Sequence, residues 1–290
     1  MGDFTGKVVV VTGANSGIGL AAAREFARRG ARVGLVGRDV GRLDAALAAV
    51  RAEARPDAAP EAFQCDFCVL EDVRRLATAL ASAYPSIAVL CNNAGGVQHS
   101  RQLTVDHHEV TIQANHLSPF LLTNLLRDQL RGGRVVNTAS TAHRYGQLDA
   151  DDLDCSGRYR AMAVYGASKQ ANILFAAEAA RRWSEILSFS YHPGVVRSRF
   201  GRGNGLFETF YRVAPLLRTP EQGADTMVWL AGAPRSQVDN GAYYVNRSAR
   251  PPRRHAADGA LAAKLWEVSE VMVGLAGEEA ITSPDGTPAR

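Results

Sequence analysis

Lysine is nearly missing from this chain. Lys7, Lys169 and Lys264 are three of its 33 basic residues, and the rest are arginine. The skew has the look of genomic base composition, so a net charge of +4 and a pI near 9.0 give little reason to expect a polyanionic partner. Arg250-Pro-Pro-Arg253-Arg254 is the only basic cluster, whereas a nucleic-acid binder needs a basic stripe or a recognisable module. Cysteine is scarce too. Four of them (Cys65, Cys68, Cys91, Cys155) in 290 residues exclude a disulfide scaffold. No second pair or Cys/His set accompanies Cys65-Asp-Phe-Cys68, so buried thiols are expected there, not metal ligands. Long apolar runs are absent. The uncharged stretch at residues 112–126 is broken by Gln113, Asn115, His116, Pro119 and Asn124. A bilayer span would need ~20 apolar residues, and residues 1–7 carry no apolar signal core. The expectation is a soluble cytoplasmic protein without a membrane anchor.

What is present alternates. With 46% hydrophobic and 21% charged residues the chain reads as globular. Lys7-Val-Val-Val-Val-Thr12 is a β-branched run suited to a strand buried on both faces. Residues 20–29 repeat apolar side chains at helical spacing, and Gly30 stands where a C-terminal cap belongs. The same reading gives strands at 32–36, 62–65, 87–90 and 134–137, with helices at 40–55, 70–84 and 107–130. A helix at 165–182, a strand at 187–191, a helix at 221–230, a strand at 243–245 and a helix at 260–274 follow. This rhythm predicts right-handed βαβ crossovers. The fold expected over 1–290 is a single doubly wound Rossmann-type α/β domain, a mostly parallel sheet with helices on both faces.

Between the first strand and the first helix stands Thr12-Gly13-Ala-Asn-Ser-Gly17-Ile-Gly19. Glycines there let backbone N–H groups approach phosphate without hindrance from Cβ, at the positive end of the helix. The order is G-x-x-x-G-x-G and not the commoner G-x-G-x-x-G, but the strand before and the helix after supply the required context. The second strand should end beside the adenosine ribose. A carboxylate there suits NAD, and an arginine suits the 2′-phosphate of NADP. The chain offers both, as Val36-Gly37-Arg38-Asp39. Because the strand is expected to end at Val36, Arg38 faces the ribose and Asp39 caps the next helix, which favours NADP over NAD.

Tyr165-Gly-Ala-Ser-Lys169 puts a phenol and an ammonium four residues apart, on one face of a helix. A free phenol, with a pKa near ~10, is a poor base at neutral pH; a nearby cation favours the phenolate. That tuning suits proton exchange with a carbonyl oxygen. A surface Tyr and Lys sharing a face would read the same way. Ser140 adds weight to the chemical reading, because it follows the fifth strand at the carboxyl edge, where a hydroxyl can donate to a developing oxyanion. His107, His108, His143 and His192 need no catalytic role beside the phenol, although His143 is close enough after Ser140 to line the cleft.

Taken together, Thr12–Gly19, Asn92-Asn-Ala-Gly95, Asn115, Ser140, Tyr165-x-x-x-Lys169 and Pro193-Gly194 resemble the short-chain dehydrogenase/reductase family across nearly the whole chain. Asn115-His116-Leu117, Tyr165-Gly-Ala-Ser-Lys-Gln-Ala-Asn172, His192-Pro-Gly-Val-Val196 and Leu265-Trp266-Glu-Val-Ser269 narrow the resemblance. They point to the branch holding retinol-dehydrogenase-like enzymes and protochlorophyllide reductases. The resemblance implies that Tyr165 is the general acid/base, that Lys169 lowers its pKa and bonds the nicotinamide ribose, and that Ser140 holds the substrate carbonyl. Asn115 would sit at a helix irregularity and hold a water linking Lys169 to solvent. For the cofactor, it implies contacts from Gly13, Asn15, Ser16, Gly17, Ile18 and Gly19. Arg38 matches the position marking NADP preference; Asp66, followed by Phe67, would bond the adenine. Asn92, Asn93, Ala94 and Gly95 would shape the pocket, and Pro193, Gly194 and Val196 would lie near the nicotinamide, with Tyr165 and Lys169. No metal is implied.

The spacing from Ser140 to Tyr165 makes residues 141–162 an inserted loop that borders the substrate, carrying Asp149, Asp151, Asp152 and Asp154. Residues 195–220 lose the sheet-building rhythm and carry Phe200, Phe207, Phe210, Tyr211, Val213, Leu216 and Leu217. An apolar lid on the substrate is the preferred reading; a subunit interface or a membrane-surface helix would need the same residues. The function expected is hydride transfer between NADP(H) and a ketone or aldehyde of a fairly apolar small molecule. Alternatives are reduction of a conjugated C=C bond or a non-catalytic NADP-binding sensor. Substrate identity and homo-oligomerisation are left open.

Overall fold

The computed structural model describes residues 2–56, 58–196 and 217–276. An eight-stranded sheet runs through them in the order β3-β2-β1-β4-β5-β6-β7-β8. The strands are β1 (Val8–Thr12), β2 (Arg32–Gly37), β3 (Glu61–Gln64), β4 (Val89–Asn92), β5 (Arg134–Thr138), β6 (Leu187–His192), β7 (Tyr243–Val245) and β8 (Ser248–Ala249). All neighbours are parallel except β7 and β8. Strand order therefore reverses between β1 and β4. That reversal opens a crevice at the carboxyl edge, the usual ligand position in such sheets.

Helices α1 (Gly17–Arg28), α2 (Val40–Arg51) and α7 (Pro220–Gly232) cover one face. Their apolar sides bury Ala22, Phe26, Leu43, Val50, Met227 and Leu230 against Val9, Val11, Phe189 and Tyr191. The other face carries α3 (Leu70–Ala83), α4 (Val110–Ile112), α5 (Ser118–Leu125), α6 (Ala161–Arg182) and α8 (Gly259–Met272). There Leu76, Leu80, Phe120, Leu174, Phe175 and Trp266 pack over Val10, Leu90 and Val135. The expected doubly wound architecture is what the chain adopts. Trp266 locks α8 onto this face, with ring centroids 5.0 Å from Phe120, 5.7 Å from Phe175 and 5.2 Å from Trp183.

Three departures from the sequence reading are found. The expected helix 107–130 begins only at Val110, because residues 104–108 form a turn with His107 at φ 66°. Its middle, Gln113–Leu117, is a π-helical segment, which is the irregularity that the family resemblance implies at Asn115. Pro119 has no N–H to return to the carbonyl of Asn115, so the ladder widens just ahead of it. Strands β3 and β4 are each displaced from the expected limits, β4 by two residues toward its carboxyl end. Finally, Tyr243–Val245 continues into a hairpin with β8 through Asn246 and Arg247, both at positive φ. The Asn-Arg pair lacks the usual Asn-Gly signature of that turn. Of the segment 195–220, residues 197–216 lie outside the described residues, so the lid, interface and membrane readings rest on sequence alone.

Candidate active site

The crevice at the strand-order reversal is sewn together by side chains. Thr12, the last residue of β1, accepts at Oγ1 from the backbone N–H groups of Asn93 and Ala94, each at 2.9 Å. Asn93 Nδ2 donates to Thr12 O at 2.9 Å. The Gly-rich turn and the segment after β4 therefore move as one piece. Gly19 shows why no side chain is tolerated in that turn: a Cβ there would lie 2.3 Å from Gly13 O. Ser16, the N-cap of α1, makes no side-chain cap hydrogen bond, so the first-turn N–H groups are not taken by a capping side chain. Asn92 does not reach the crevice. Its Nδ2 donates inward to Thr123 Oγ1 (2.9 Å) and Asn137 Oδ1 (3.0 Å), tying β4 to α5 and β5.

Two cavities meet at Gly95. The first, about 320 Å³, is lined by Gly13, Asn15, Arg38, Asp66, Phe67, Ala94 and Gly95, among others. Asp39 accepts from Arg42 N at 2.9 Å and from Arg42 Nη2 at 3.1 Å, so it caps α2, as the sequence suggested. Arg38 is two-thirds exposed and reaches Asp66 at 3.5 Å. Asp66 Oδ1 is already engaged by Cys68 N at 2.9 Å. Cys68 lines this cavity as well, and burial raises its thiol to about 11; that of Cys65 is pushed up to about 12. All four cysteines are free, and among the described residues no group of three His, Cys, Asp or Glu side chains could hold a metal.

The second cavity, about 480 Å³, is lined by Ile18, Asn93, Gly95, Ser140, Tyr165, Lys169, Pro193, Gly194 and Val196, together with Ala142, Tyr145, Met162 and His192. Most of the expected cofactor set thus borders one cavity or the other; Ser16, Gly17 and Gly19 line neither. Lys169 is 4% exposed, and its Nζ donates to Thr138 O at 3.1 Å. The ammonium stands 5.5 Å from the centre of the Tyr165 ring. Burial brings its pKa down to about 8, so it remains mostly a cation at neutral pH. Ser140 Oγ accepts from Ala142 N at 3.1 Å, which leaves the hydroxyl proton to donate elsewhere.

Asn115, in the π segment, accepts from Gly96 N at 2.8 Å and donates to Gly96 O and Ser168 Oγ, both at 2.9 Å. It joins the segment after β4 to the helix carrying Lys169. The acids of the inserted loop serve as local acceptors: Asp154 takes Glu109 N at 2.9 Å, and Asp151 pairs with Lys264 at 2.5 Å. Ends of that loop, at Thr141, Ala142, Tyr145 and Met162, border the second cavity.

Two residues stand differently from the sequence reading. His143 turns away from the cleft, with Nδ1 2.6 Å from Ser140 O and its ring 5.2 Å from that of Tyr243. His192, given no role, forms part of the cavity wall. Gly166 was missed as well. A Cβ on it would meet Ala142 O and Gly146 N at 2.6 Å, so the absence of a side chain lets the loop after Ser140 lie directly on α6 beside Tyr165.

A doubly wound α/β sheet with a Gly-rich turn at its strand-order reversal, opening onto a Ser–Tyr–Lys wall, defines a nucleotide-dependent oxidoreductase. The family described as short chain dehydrogenase matches residues 7–205, and the chain belongs to it. It is 50% identical over 274 residues to a Streptomyces sp. (strain C5) protein named "Putative daunorubicin C-13 ketoreductase DnrU", covering 94% of each. Human retinol dehydrogenase 14 is 36% identical over 94% of this chain and 88% of its own length. A solved protein from Mycobacterium paratuberculosis superposes with a TM-score of 0.77 at 32% identity, covering 94% of this chain and 96% of that one. A Burkholderia cenocepacia short chain dehydrogenase in complex with NADP gives 0.67 at 25% identity, covering 83% and 96%. Among the described residues, no helix is long and apolar enough to cross a membrane.

Proposed function

We propose that this protein is an NADP(H)-dependent carbonyl reductase, reversible in principle, for a fairly apolar ketone or aldehyde. The observation that carries the reading is a buried ammonium, Lys169, without a carboxylate partner among the described residues, beside the Tyr165 ring on a cavity wall shared with Ser140. The crevice suits a dinucleotide: a side-chain-free approach at Gly13 and Gly19, an open α1 N-terminus and two cavities joined at Gly95. Preference for NADP follows from Arg38 and Arg42 on the first cavity, together with Asp39 being occupied as a helix cap.

When bound, the reduced cofactor supplies the hydride. Ser140 donates its hydroxyl proton as a hydrogen bond to the substrate oxygen and holds the carbonyl toward Tyr165. The Tyr165 phenol gives its proton to that oxygen as negative charge develops there. Lys169 stabilises the phenolate left behind, and its anchorage on Thr138 O fixes the cation at the end of β5. Asn115 positions the Gly95–Gly96 backbone against α6 and stands where a proton relay to solvent would start.

Substrate class is read from the wall and from the relatives. Ile18, Ala142, Tyr145, Met162, Pro193 and Val196 give the second cavity a mainly apolar lining. The ketoreductase name of the Streptomyces relative supports a ketone as the substrate. The test is loss of nicotinamide absorbance with a panel of aryl, polycyclic and aliphatic ketones, with alcohol products identified by mass. NADPH binding without turnover of any carbonyl would overturn the reading in favour of a sensor. Saturation of an enone at its C=C bond would replace carbonyl reduction with alkene reduction.

A further inference from the structure

We propose that His192 is a specificity-determining hydrogen-bond donor, selecting ketones that carry a second oxygen on the carbon next to the carbonyl or one further along. The inference deepens the carbonyl-reductase reading and rests on it. His192 ends β6 and is 9% exposed, yet it forms part of the wall shared with Ser140 and Tyr165. Its Nδ1 accepts from the backbone N–H of Thr141 at 3.3 Å. An accepting Nδ1 assigns the proton of the neutral ring to Nε2. Among the described residues Nε2 has no hydrogen-bond partner, it is not one of the sealed, unpartnered buried atoms, and the residue that carries it lines the cavity.

The ring stays neutral in ordinary working conditions. Burial, reinforced by the nearby charges of Arg218 and Arg144 and by His143, brings its pKa down to about 4. A wall that is otherwise mainly apolar therefore presents, among the described residues, a fixed imidazole N–H donor besides the Ser140–Tyr165 pair and Lys169. Because the ring is bonded to the residue immediately after Ser140, that donor stands close to the seat of the carbonyl oxygen. An acceptor there satisfies the donor; a substrate lacking one covers it without giving it a partner.

The test compares a matched pair, an aryl ketone with and without a hydroxyl on the adjacent carbon, as kcat/KM with NADPH. Wild type is expected to favour the hydroxyketone by about tenfold. His192→Asn keeps an acceptor for Thr141 N–H but leaves its amide N–H short of the Nε2 position, so the ratio should fall toward one, chiefly through KM. His192→Gln places an amide N–H near the Nε2 position and should restore part of the preference. An unchanged ratio in His192→Asn, with both ketones slowed equally or not at all, overturns the proposal and leaves the reductase reading standing. Absence of turnover of either ketone by wild type overturns both. NADPH titration of each variant verifies that the cofactor site has folded.

Discussion

Replacing Arg38 with alanine tests the electrostatics of the first cavity most directly. Arg38 is two-thirds exposed and shares its charge with Asp66 at 3.5 Å, an arrangement worth about 0–1 kcal/mol at a surface. A charge-assisted hydrogen bond from its guanidinium to a ribose 2′-phosphate is worth about 1.5–3 kcal/mol. Engaging the phosphate costs at most the weak pair with Asp66, which leaves about 0.5–3 kcal/mol of NADPH affinity to lose. At about 1.4 kcal/mol per factor of ten, that is a rise in KM for NADPH of roughly 2- to 140-fold. NADH has no 2′-phosphate, so its KM should move by no more than about twofold. Arg42 lines the same cavity but holds Asp39 at 3.1 Å. The loss in Arg38→Ala should therefore be partial and should deepen in the double variant with Arg42→Ala. Steady-state KM for both coenzymes, at fixed ionic strength because the pair is screened by salt, reads the outcome. Equal losses for NADPH and NADH would refute the argument, since they would show that Arg38 shapes the pocket without discriminating at the phosphate.

Three further outcomes follow from the geometry. Tyr165→Phe should lower kcat by at least about 100-fold while leaving NADPH binding by fluorescence titration close to wild type; retained turnover would remove the phenol from proton transfer. Burial lowers the Lys169 pKa from 10.5 to about 8. The ammonium is present below that pH and lost above it, so kcat/KM for ketone reduction should decline as pH rises through about 8; a profile flat well past that point would contradict the role given to the cation. Trp266→Ala empties a site ringed by Phe120, Phe175 and Trp183 and should cost about 3–5 kcal/mol in urea unfolding. A loss below about 1 kcal/mol would show that α8 is not held by that cluster.

How much of this was legible beforehand depends on whether the information is local. Val8–Thr12 declares a buried strand by its own side chains, and Thr12–Gly19 declares a tight Gly-rich turn by its glycines and its place between strand and helix. The Tyr165–Lys169 pair is legible because helical geometry alone puts the two on one face. The features that escaped depend on contacts between distant segments. An irregularity at Asn115 is implied by the family resemblance, but its π form is not, and it comes with the Gly96 and Ser168 bonds that close around that side chain. Gly166 reads as an ordinary helix interior glycine until residues 142–146 are laid against it. His143 and His192 both contact the chain at the end of β5, His143 at Ser140 O and His192 at Thr141 N. Which one faces the cavity is fixed by Tyr243 and Arg253, which engage His143 from the far side, and by Thr141, which turns His192 toward the wall. The scaffold is thus encoded in short-range patterns, whereas the selectivity of the pocket is encoded in tertiary pairings, and the two should respond differently to substitution. Changes at Gly13, Gly19 or Lys169 should abolish activity toward every ketone. Changes at His192, Tyr145 or Met162 should instead alter which ketones are turned over, because those side chains line the second cavity without belonging to the proton-transfer group.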